Sequence, residues 1–374
     1  MSRAPEPVLP DFAGACLTNV VPALLGALGG PSPAADWLPP TVTGARQIVL
    51  LVLDGLGAEQ LAERSAVAPT LSSGGSGLAT SVAPSTTAAA MTSLVTGLPP
   101  AVHGIVGYRI ALDGQLLNVL RWQLDGRDAR RLLPPARFQH FDAFPGAAGV
   151  VPVVSRADYA ATGFSAAHLG RSELHGWHVP SSIPLEVRRL LGRGDPFVYA
   201  YYDALDRVAH ATGLGEHYRH ELLAADRLVA DVLEVLPPGA ALVVTADHGQ
   251  VDVGPRVEVL EGDLMEPVVL MSGEGRFRWL HVRPGAAQDV AQAAEDTYGD
   301  LAWVRTRDQV IEEQWLGGEP VPAVMDRLGD VALVPFEPTA FMDPADTGEL
   351  RLVARHGSLT AAEMTVPLLA WSAP

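Results

Sequence analysis

Three apolar runs of strand length, each ending at an aspartate or just before one, constrain the fold of this chain more than any other feature. They lie in QIVLLVLDGLG (47–57), PFVYAYYDALDRVAH (196–210) and AALVVTADHGQ (240–250). Their apolar residues are continuous, which is typical of strands buried on both faces in a parallel sheet. Between the last two runs, residues 216–236 repeat apolar residues at helical spacing. This alternation predicts an α/β fold, a doubly wound and mostly parallel sheet with helices on both faces.

The aspartates after these runs indicate where a ligand would bind. Ligands of doubly wound sheets bind beyond the carboxyl ends of the strands, and Asp54, Asp206 and Asp247 are expected along that edge. One acid at a strand end is common as a helix cap. Three such acids, each accompanied by glycine or histidine, indicate a functional site.

Histidines accompany the acids at spacings that suit metal coordination. Asp206 and His210 are four residues apart, so a helical turn points both side chains to one face. Mixed nitrogen and oxygen donors suit Zn²⁺, with Mn²⁺ or iron as alternatives. Six protein ligands exceed what one tetrahedral ion takes and therefore predict two ions, each with an open position. The predicted ligands are three carboxylates and three imidazoles: Asp54, Asp206, Asp247, His210, His248 and His356.

The segment APSTTAAAMTSLVTG (83–97) carries three consecutive hydroxyl residues where a helix is expected to begin: Ser85, Thr86 and Thr87. An N-cap explains any one of them. A bound divalent ion lowers the pKa of a hydroxyl without a general base, and a helix N-terminus holds an anionic phosphoryl group. The segment therefore predicts a cap that also supplies a nucleophile.

Composition and charge exclude several classes of protein. The chain has 374 residues, of which 48% are hydrophobic, so it has the core of a folded protein rather than of a disordered one. Its net charge of −17 and its lack of lysine argue against a nucleic-acid polymer or an anionic membrane as partner. The N-terminal apolar segment is too short and too interrupted to span a bilayer. We therefore expect a cytoplasmic protein, and the sequence leaves its oligomeric state open.

Two regions interrupt the alternation of strands and helices. Residues 108–195 are rich in proline, glycine and arginine, and residues 251–343 contain two strand-like runs around a Gly-Glu-Gly turn. We expect one domain spanning residues 1–374, in which both regions are insertions that form a cap beside the active site. Aromatic residues of the first region are candidates for a nucleobase slot, with core packing as the alternative: Tyr108, Trp122, Phe138, Phe141, Tyr159 and Phe164.

Taken together, the motifs resemble the nucleotide pyrophosphatase/phosphodiesterase family of the alkaline phosphatase superfamily. LVLDGLG, PSTTAAAMTSLVTGLPPAVHGI, DALDRVAHATG, ADHG and RHGS occur in the order of that family. The resemblance implies an alkaline-phosphatase-like fold and a phosphodiesterase or nucleotide pyrophosphatase that depends on two zinc ions. It also implies a small phosphorylated substrate, with a nucleotide as one candidate.

The resemblance also implies a role for each site residue. By its position in the motif, Thr87 would be the nucleophile and would form a phospho-threonine intermediate. Two sets of residues would each hold one zinc ion, the first being Asp206, His210 and His356 and the second Asp54, Asp247 and His248 together with Thr87.

One departure from the family pattern leaves the substrate open. Members that cleave nucleotides usually place an asparagine three residues after the nucleophile, as a donor to a phosphate oxygen, and this chain has Ala90. Losing such a donor costs on the order of 10²-fold in rate unless another group, for example Arg109, replaces it. A phosphomonoester or phosphonoacetate-type hydrolase on the same site is therefore the main alternative. A cofactor-independent phosphoglycerate-mutase-like enzyme and a catalytically silent metal-binding protein are further alternatives.

Overall fold

A computed structural model describes residues 4–32, 35–346, 348 and 351–373 of the chain. Its centre is a seven-stranded sheet. From one edge to the other, the strands are Gly75–Thr80, Thr365–Ser372, Ala240–Thr245, Gln47–Leu53, Phe197–Tyr202, Pro152–Arg156 and Glu173–Trp177. The last five strands run parallel to one another, and Thr365–Ser372 runs antiparallel to both of its neighbours. The sheet is therefore mostly parallel, as predicted.

The register of the three central strands sets the position of the site. Leu53 pairs with Tyr202, and Val52 pairs with Thr245, so the carboxyl ends of these strands lie side by side. Every residue from Ile48 to Leu53 is fully buried, which requires cover on both faces of the sheet. The residues that follow these strands consequently meet at one edge.

Helices flank the sheet. The longer helices pack in two groups, one in which Leu17–Ala27 contacts Thr87–Thr96, and one in which Glu216–Glu234 contacts both Ile183–Arg193 and Ala204–Thr212. The remaining α-helical segments are Ala58–Glu63, Pro69–Ser72, Pro100–His103, Pro135–Phe138, Gly163–His168, Ala287–Tyr298, Arg307–Glu312, Pro322–Met325 and Ala361–Met364. Short 3₁₀ turns lie at Pro40–Val42, Ser65–Val67, Ala157–Tyr159, Pro180–Ser182 and Gly262–Met265. None of the helices within the described ranges has the length and apolar character needed to cross a membrane.

Residues 251–343 form strands outside the central sheet. Four of these strands make an antiparallel sheet, called the outer sheet here, in the order Val268–Glu274, Phe277–Val282, Val331–Pro335 and Ala302–Thr306. The outer sheet has its own apolar cluster, which includes Leu280, Leu333 and Phe341. Two short pairs complete the region, Val251–Asp252 with Ala354–Arg355 and Val257–Val259 with Ala340–Met342.

The structure divides the first region that we expected to be an insertion, residues 108–195. Its beginning forms a four-stranded sheet, called the small sheet here, from Arg109–Leu112, Gln115–Asn118, Gln123–Leu124 and Arg127–Asp128. Its second half instead supplies two strands of the central sheet, Pro152–Arg156 and Glu173–Trp177. This half therefore contributes to the central sheet through two short strands, of which Glu173–Trp177 lies at the edge.

Candidate metal centre and nucleophile

Asp54 and Asp247 lie in the turns that follow two adjacent central strands. The Asp54 N–H donates to the Tyr202 carbonyl at 2.9 Å, which extends the strand pairing by one residue. Asp247 Oδ1 accepts hydrogen bonds from the Gly55 and His248 N–H groups, each at 3.1 Å. Gly55 has a φ of +76°, a conformation that favours glycine. The turn after the first strand thus brings both carboxylates to one edge.

Asp206 and His210 lie one turn apart on the helix Ala204–Thr212. The Asp206 N–H donates to the Asp54 carbonyl at 3.1 Å, which fixes the start of this helix against the turn after the first strand. His210 Nε2 is 3.3 Å from Asp206 Oδ1, as the four-residue spacing predicts. The His356 ring stacks on the His248 ring, with centroids 3.6 Å apart. All six predicted ligand residues therefore come from separate parts of the chain to one cluster.

Backbone carbonyls orient the three imidazoles. Each ring places Nδ1 on a carbonyl oxygen: His248 on Gly249 at 3.0 Å, His210 on Ala354 at 2.8 Å and His356 on Ser85 at 3.0 Å. A carbonyl only accepts, so Nδ1 carries a proton in each ring, and the Nε2 lone pair of a neutral ring then points into the cluster. This is the arrangement by which proteins prepare histidines for a metal ion.

In the first group of candidate ligands, the potential metal-binding atoms face one another at short distances. His356 Nε2 lies 3.3 Å from His210 Nε2 and 3.7 Å from Asp206 Oδ1. Burial and the neighbouring imidazoles lower the pKa of His356 well below its usual range, so this ring is neutral. Lone pairs held this close repel unless a cation lies between them, and Asp206, His210 and His356 fit a metal ion by that test.

The second group shows a deficit of hydrogen-bond donors. His248 Nε2 lies 3.6 Å from Asp54 Oδ1 and 3.4 Å from Asp247 Oδ2. Both of these carboxylate oxygens are buried and have no hydrogen-bond partner in the described part of the chain. Burial, together with the charges of Asp247 and Asp206, raises the pKa of Asp54 well above its usual range. A cation would supply the missing positive charge, and the residues therefore fit a second ion.

Asp206 is within reach of both groups. Its carboxylate forms a compact set with Asp54 and His248 as well as with His210 and His356. Burial raises the pKa of Asp206, and the positive form of His210 would oppose that shift. The resemblance assigned Asp206 to the first ion alone, whereas the structure places the Asp206 carboxylate close to both groups of candidate ligands.

Thr87 is the hydroxyl residue that contacts this cluster. It is the first residue of the helix Thr87–Thr96, and its Oγ1 lies 3.1 Å from His248 Nε2. Thr86 occupies the N-cap position and makes no side-chain cap hydrogen bond, so the cap and the candidate nucleophile are adjacent residues rather than one. The Ser85 hydroxyl instead donates to the Ser358 carbonyl at 2.7 Å.

Sequence reasoning missed two residues that hold the ligands in place. The Tyr201 hydroxyl donates to Asp54 Oδ2. Gln250 Nε2 donates to Asp206 Oδ1 at 2.9 Å. Tyr201 lies within an apolar strand, so its sequence context indicates a core residue. Gln250 directly follows the ADHG motif, and this position could have identified it as a residue of the site.

Two cavities meet at Thr87. The first, of about 330 Å³, is lined by Thr87 and Asp54 together with the aromatic residues Tyr159, Phe164, Tyr199 and Tyr201. The second, of about 240 Å³, is lined by Thr86, Thr87, His210, His356 and Tyr108, among others. Of the six aromatic candidates for a nucleobase slot, Tyr159 and Phe164 thus line the first cavity and Tyr108 the second. Trp122 is fully buried in the core.

The structure changes how Ala90 and Arg109 are read. Ala90 is fully buried within the helix Thr87–Thr96 and lines neither cavity, so its lack of a donor does not face the site. Arg109 forms ion pairs with Asp343 at 2.5 Å and with Asp346 at 3.5 Å. It also lines neither cavity at Thr87, and these two carboxylates already neutralise its charge.

Solved structures of two differently named proteins have a similar fold. An inactive variant of murine ectonucleotide pyrophosphatase/phosphodiesterase 5 in complex with AMP has a TM-score of 0.64 at 16% identity, over 86% of this chain and 87% of that chain. The human form of the same protein gives 0.65 at 14% identity, over 87% of both chains. Phosphonoacetate hydrolase from Sinorhizobium meliloti 1021 in complex with phosphonoformate gives 0.64 at 20% identity, over 88% of this chain and 90% of that chain. No curated protein matches the chain.

The family comparison covers the whole cluster described above. The model of the family "Type I phosphodiesterase / nucleotide pyrophosphatase" matches residues 48–359, a range that contains Thr87 and all six candidate ligands. Enzymes of this family are hydrolases that act on phosphoester bonds. The chain therefore belongs to the type I phosphodiesterase/nucleotide pyrophosphatase family.

Proposed function

We propose that this chain is a metal-dependent phosphodiesterase in which Thr87 is the nucleophile. The observation that supports this most directly is the 3.1 Å contact between Thr87 Oγ1 and His248 Nε2. It directs a hydroxyl from a helix N-terminus into a cluster of buried carboxylates and imidazoles. A helix N-terminus favours negative charge, which suits both an ionised hydroxyl and a phosphoryl group.

The donor set favours two zinc ions, and Mn²⁺ or iron accept the same donors. Asp206, His210 and His356 would hold the first ion. The second would be held by Asp54, Asp247, His248 and Thr87. When bound, such ions lower the pKa of a coordinated hydroxyl and neutralise charge on the phosphoryl oxygens.

The reaction would proceed in two displacements at phosphorus. In the first, Thr87 Oγ1 loses its proton to solvent and forms a bond to phosphorus, and the ester oxygen leaves with the bonding electrons, which gives a phospho-threonine. In the second, a water oxygen attacks phosphorus and Thr87 Oγ1 leaves, which regenerates the threonine. Before an ion binds, His248 Nε2 accepts from the Thr87 hydroxyl and orients it, because the His248 Nδ1–H is held by the Gly249 carbonyl, and a bound ion would take that lone pair instead.

The two cavities at Thr87 favour a diester over a monoester. A diester carries an organic group on either side of phosphorus, and each cavity offers room for one. The aromatic walls of the first cavity, Tyr159, Phe164 and Tyr201, suit a ring such as a nucleobase. The AMP complex of the murine relative makes a nucleotide a reasonable substrate class to test first. The similar phosphonoacetate hydrolase keeps cleavage of a carbon–phosphorus bond as the second candidate.

Matched substrates test this proposal. Zinc-loaded protein is incubated with bis-(p-nitrophenyl) phosphate, with p-nitrophenyl phosphate and with phosphonoacetate, and release of nitrophenol or inorganic phosphate is measured. We expect kcat/KM for the diester to exceed that for the monoester by about tenfold or more. A preference for the monoester or for phosphonoacetate would contradict the diesterase assignment.

A pair of threonine variants tests the nucleophile. Thr87→Ala is expected to lower kcat by roughly 10³-fold or more, since nucleophile removal leaves only binding and charge stabilisation. Thr92→Ala is the control, because the Thr92 hydroxyl lies in the same helix and bonds only to the Ala88 carbonyl, at 2.7 Å. Turnover that survives in Thr87→Ala, or that falls equally in both variants, would contradict the role of Thr87.

A further inference from the structure

A third cavity, of about 1180 Å³, lies between the small sheet and the outer sheet. It shares none of its lining residues with the two cavities at Thr87. Its walls carry three arginines, Arg137, Arg307 and Arg327. None of these arginines belongs to the machinery described above, so the cavity requires a separate explanation.

Arg327 is a half-buried cation without a counter-ion. Its Nη1 donates to the Gly104 carbonyl at 2.5 Å, and its guanidinium lies 3.9 Å from the centre of the Phe138 ring. Its Nε is buried and has no partner, and no carboxylate of the described residues lies within 4.0 Å of the group. Burial alone lowers the pKa of Arg327 to about 10. A desolvated charge of this kind is costly unless an anion approaches it.

Three aspartates on the cavity wall equal the three arginines in number, but only one of them forms an ion pair with an arginine of the wall. Arg307 is 3.4 Å from Asp330, yet its Nε is buried without a partner. Arg137 is exposed and has no ion pair among the residues that the structure describes. Asp113 and Asp326 also line the cavity, but both are exposed and pair with none of the three arginines. His281 bonds to the Ser272 hydroxyl, and burial lowers its pKa, so it adds no fixed charge.

Apolar side chains surround the arginines at the opening of the cavity. Leu132 and Val269 are among the most exposed large hydrophobic residues of the described chain, at 72% and 65%. Leu133, Leu270 and Met325 continue this apolar lining inward. Exposed apolar surface next to an unpaired cation suits a ligand that has both an apolar part and an anionic group.

We propose that this cavity binds a small amphipathic anion, in which one carboxylate, sulfonate or phosphate group is joined to a hydrocarbon or ring portion. The anionic group accepts hydrogen bonds from Arg327 and Arg137, for which a planar guanidinium is suited. The apolar portion covers Leu132 and Val269 at the opening. This site is separate from Thr87 and does not depend on the activity proposed above.

Calorimetry on the zinc-loaded protein tests the site with three probes of equal chain length: octane-1-sulfonate, octan-1-ol and octyltrimethylammonium. We expect octane-1-sulfonate to bind with one-to-one stoichiometry, and the neutral and cationic probes to bind at least about tenfold more weakly. Arg327→Met keeps the apolar stem over Phe138 and is expected to weaken sulfonate binding about tenfold or more. Equal binding of octyltrimethylammonium and octane-1-sulfonate would overturn the proposal.

Two further variants separate this site from the cavity at Thr87 and from loss of folding. Arg207→Met alters an arginine of the first cavity at Thr87 and is expected to leave sulfonate affinity unchanged. Arg137→Met alters an exposed side chain, and we expect it to weaken binding several-fold. Unchanged affinity in Arg137→Met, or a loss in Arg207→Met without a loss in Arg327→Met, would refute the site.

Discussion

Removing the Tyr201 hydroxyl is expected to weaken the binding of one metal ion while leaving the fold intact. In the structure this hydroxyl donates to Asp54 Oδ2, and both groups are buried. Burial and the Asp54 charge raise the pKa of Tyr201 well above its usual range, so it stays a neutral donor. The other Asp54 oxygen, Oδ1, has no partner and faces His248. In Tyr201→Phe the carboxylate loses the contact that fixes its orientation.

The size of the effect follows from the kind of hydrogen bond that is lost. A hydrogen bond to a charged group contributes about 1.5–3 kcal/mol, which corresponds to a change of roughly 10- to 150-fold in affinity. This agrees with the 10- to 100-fold losses typical when a partner of a metal ligand is removed. We therefore expect the affinity for one of two zinc ions to fall by about 10- to 100-fold.

Competition against a chromogenic zinc chelator measures the two affinities. Tyr199→Phe is the matched control, because Tyr199 lies two residues earlier on the same strand and its hydroxyl meets only Met91 Sδ, at 3.6 Å. Wild-type affinity for both ions in Tyr201→Phe would refute the reasoning. An equal loss in Tyr199→Phe would show that the strand, rather than the hydrogen bond to Asp54, determines the affinity.

Two further predictions concern buried charges. Burial lowers the pKa of His168 to about 4, below the ordinary value of about 6.5, so stability is full above pH 6.5 and is lost as pH falls toward 4. Urea titrations at pH 7 and pH 4.5 measure how much unfolding free energy each protein loses between these two pH values. His168→Asn should lose less than the wild type, by up to about 3 kcal/mol. An equal loss in both proteins would contradict this explanation. Arg276 and Glu363 form a fully buried ion pair, so Arg276→Met should cost about 3–5 kcal/mol of unfolding free energy. Adding Glu363→Gln should recover part of that cost, and a double variant no more stable than the single one would argue against the explanation.

The sequence was sufficient to predict the edge where the site lies. Continuous apolar runs identify strands that are buried on both faces, and the side chains that follow them are confined to the carboxyl ends of those strands. Asp54 and Asp247 required no further information. The four-residue spacing of Asp206 and His210 likewise predicted the geometry of their helix, because the period of a helix is fixed.

The sequence was insufficient where pairing depends on distant partners. Pro152–Arg156 and Glu173–Trp177 carry no long apolar run, and the second of these lies at the sheet edge, where Trp177 is its one buried residue. Such strands are specified by the neighbour that they pair with rather than by their own composition. Tyr201 was missed for a related reason, since a strand tyrosine reads as core until the acid opposite its hydroxyl is known.

The backbone contacts of the histidines were beyond sequence reasoning for a more general reason. The carbonyls of Gly249, Ala354 and Ser85 fix the three rings, and any residue type could supply these acceptors. Their effect is chemical as well as geometric, because they commit each Nδ1 proton and leave every Nε2 as an acceptor. Carboxylates and bare imidazole nitrogens are thereby concentrated at one edge without donors to match them. That imbalance opposes folding of the edge unless a cation is bound, so the arrangement that the strands impose couples metal affinity to the folded state.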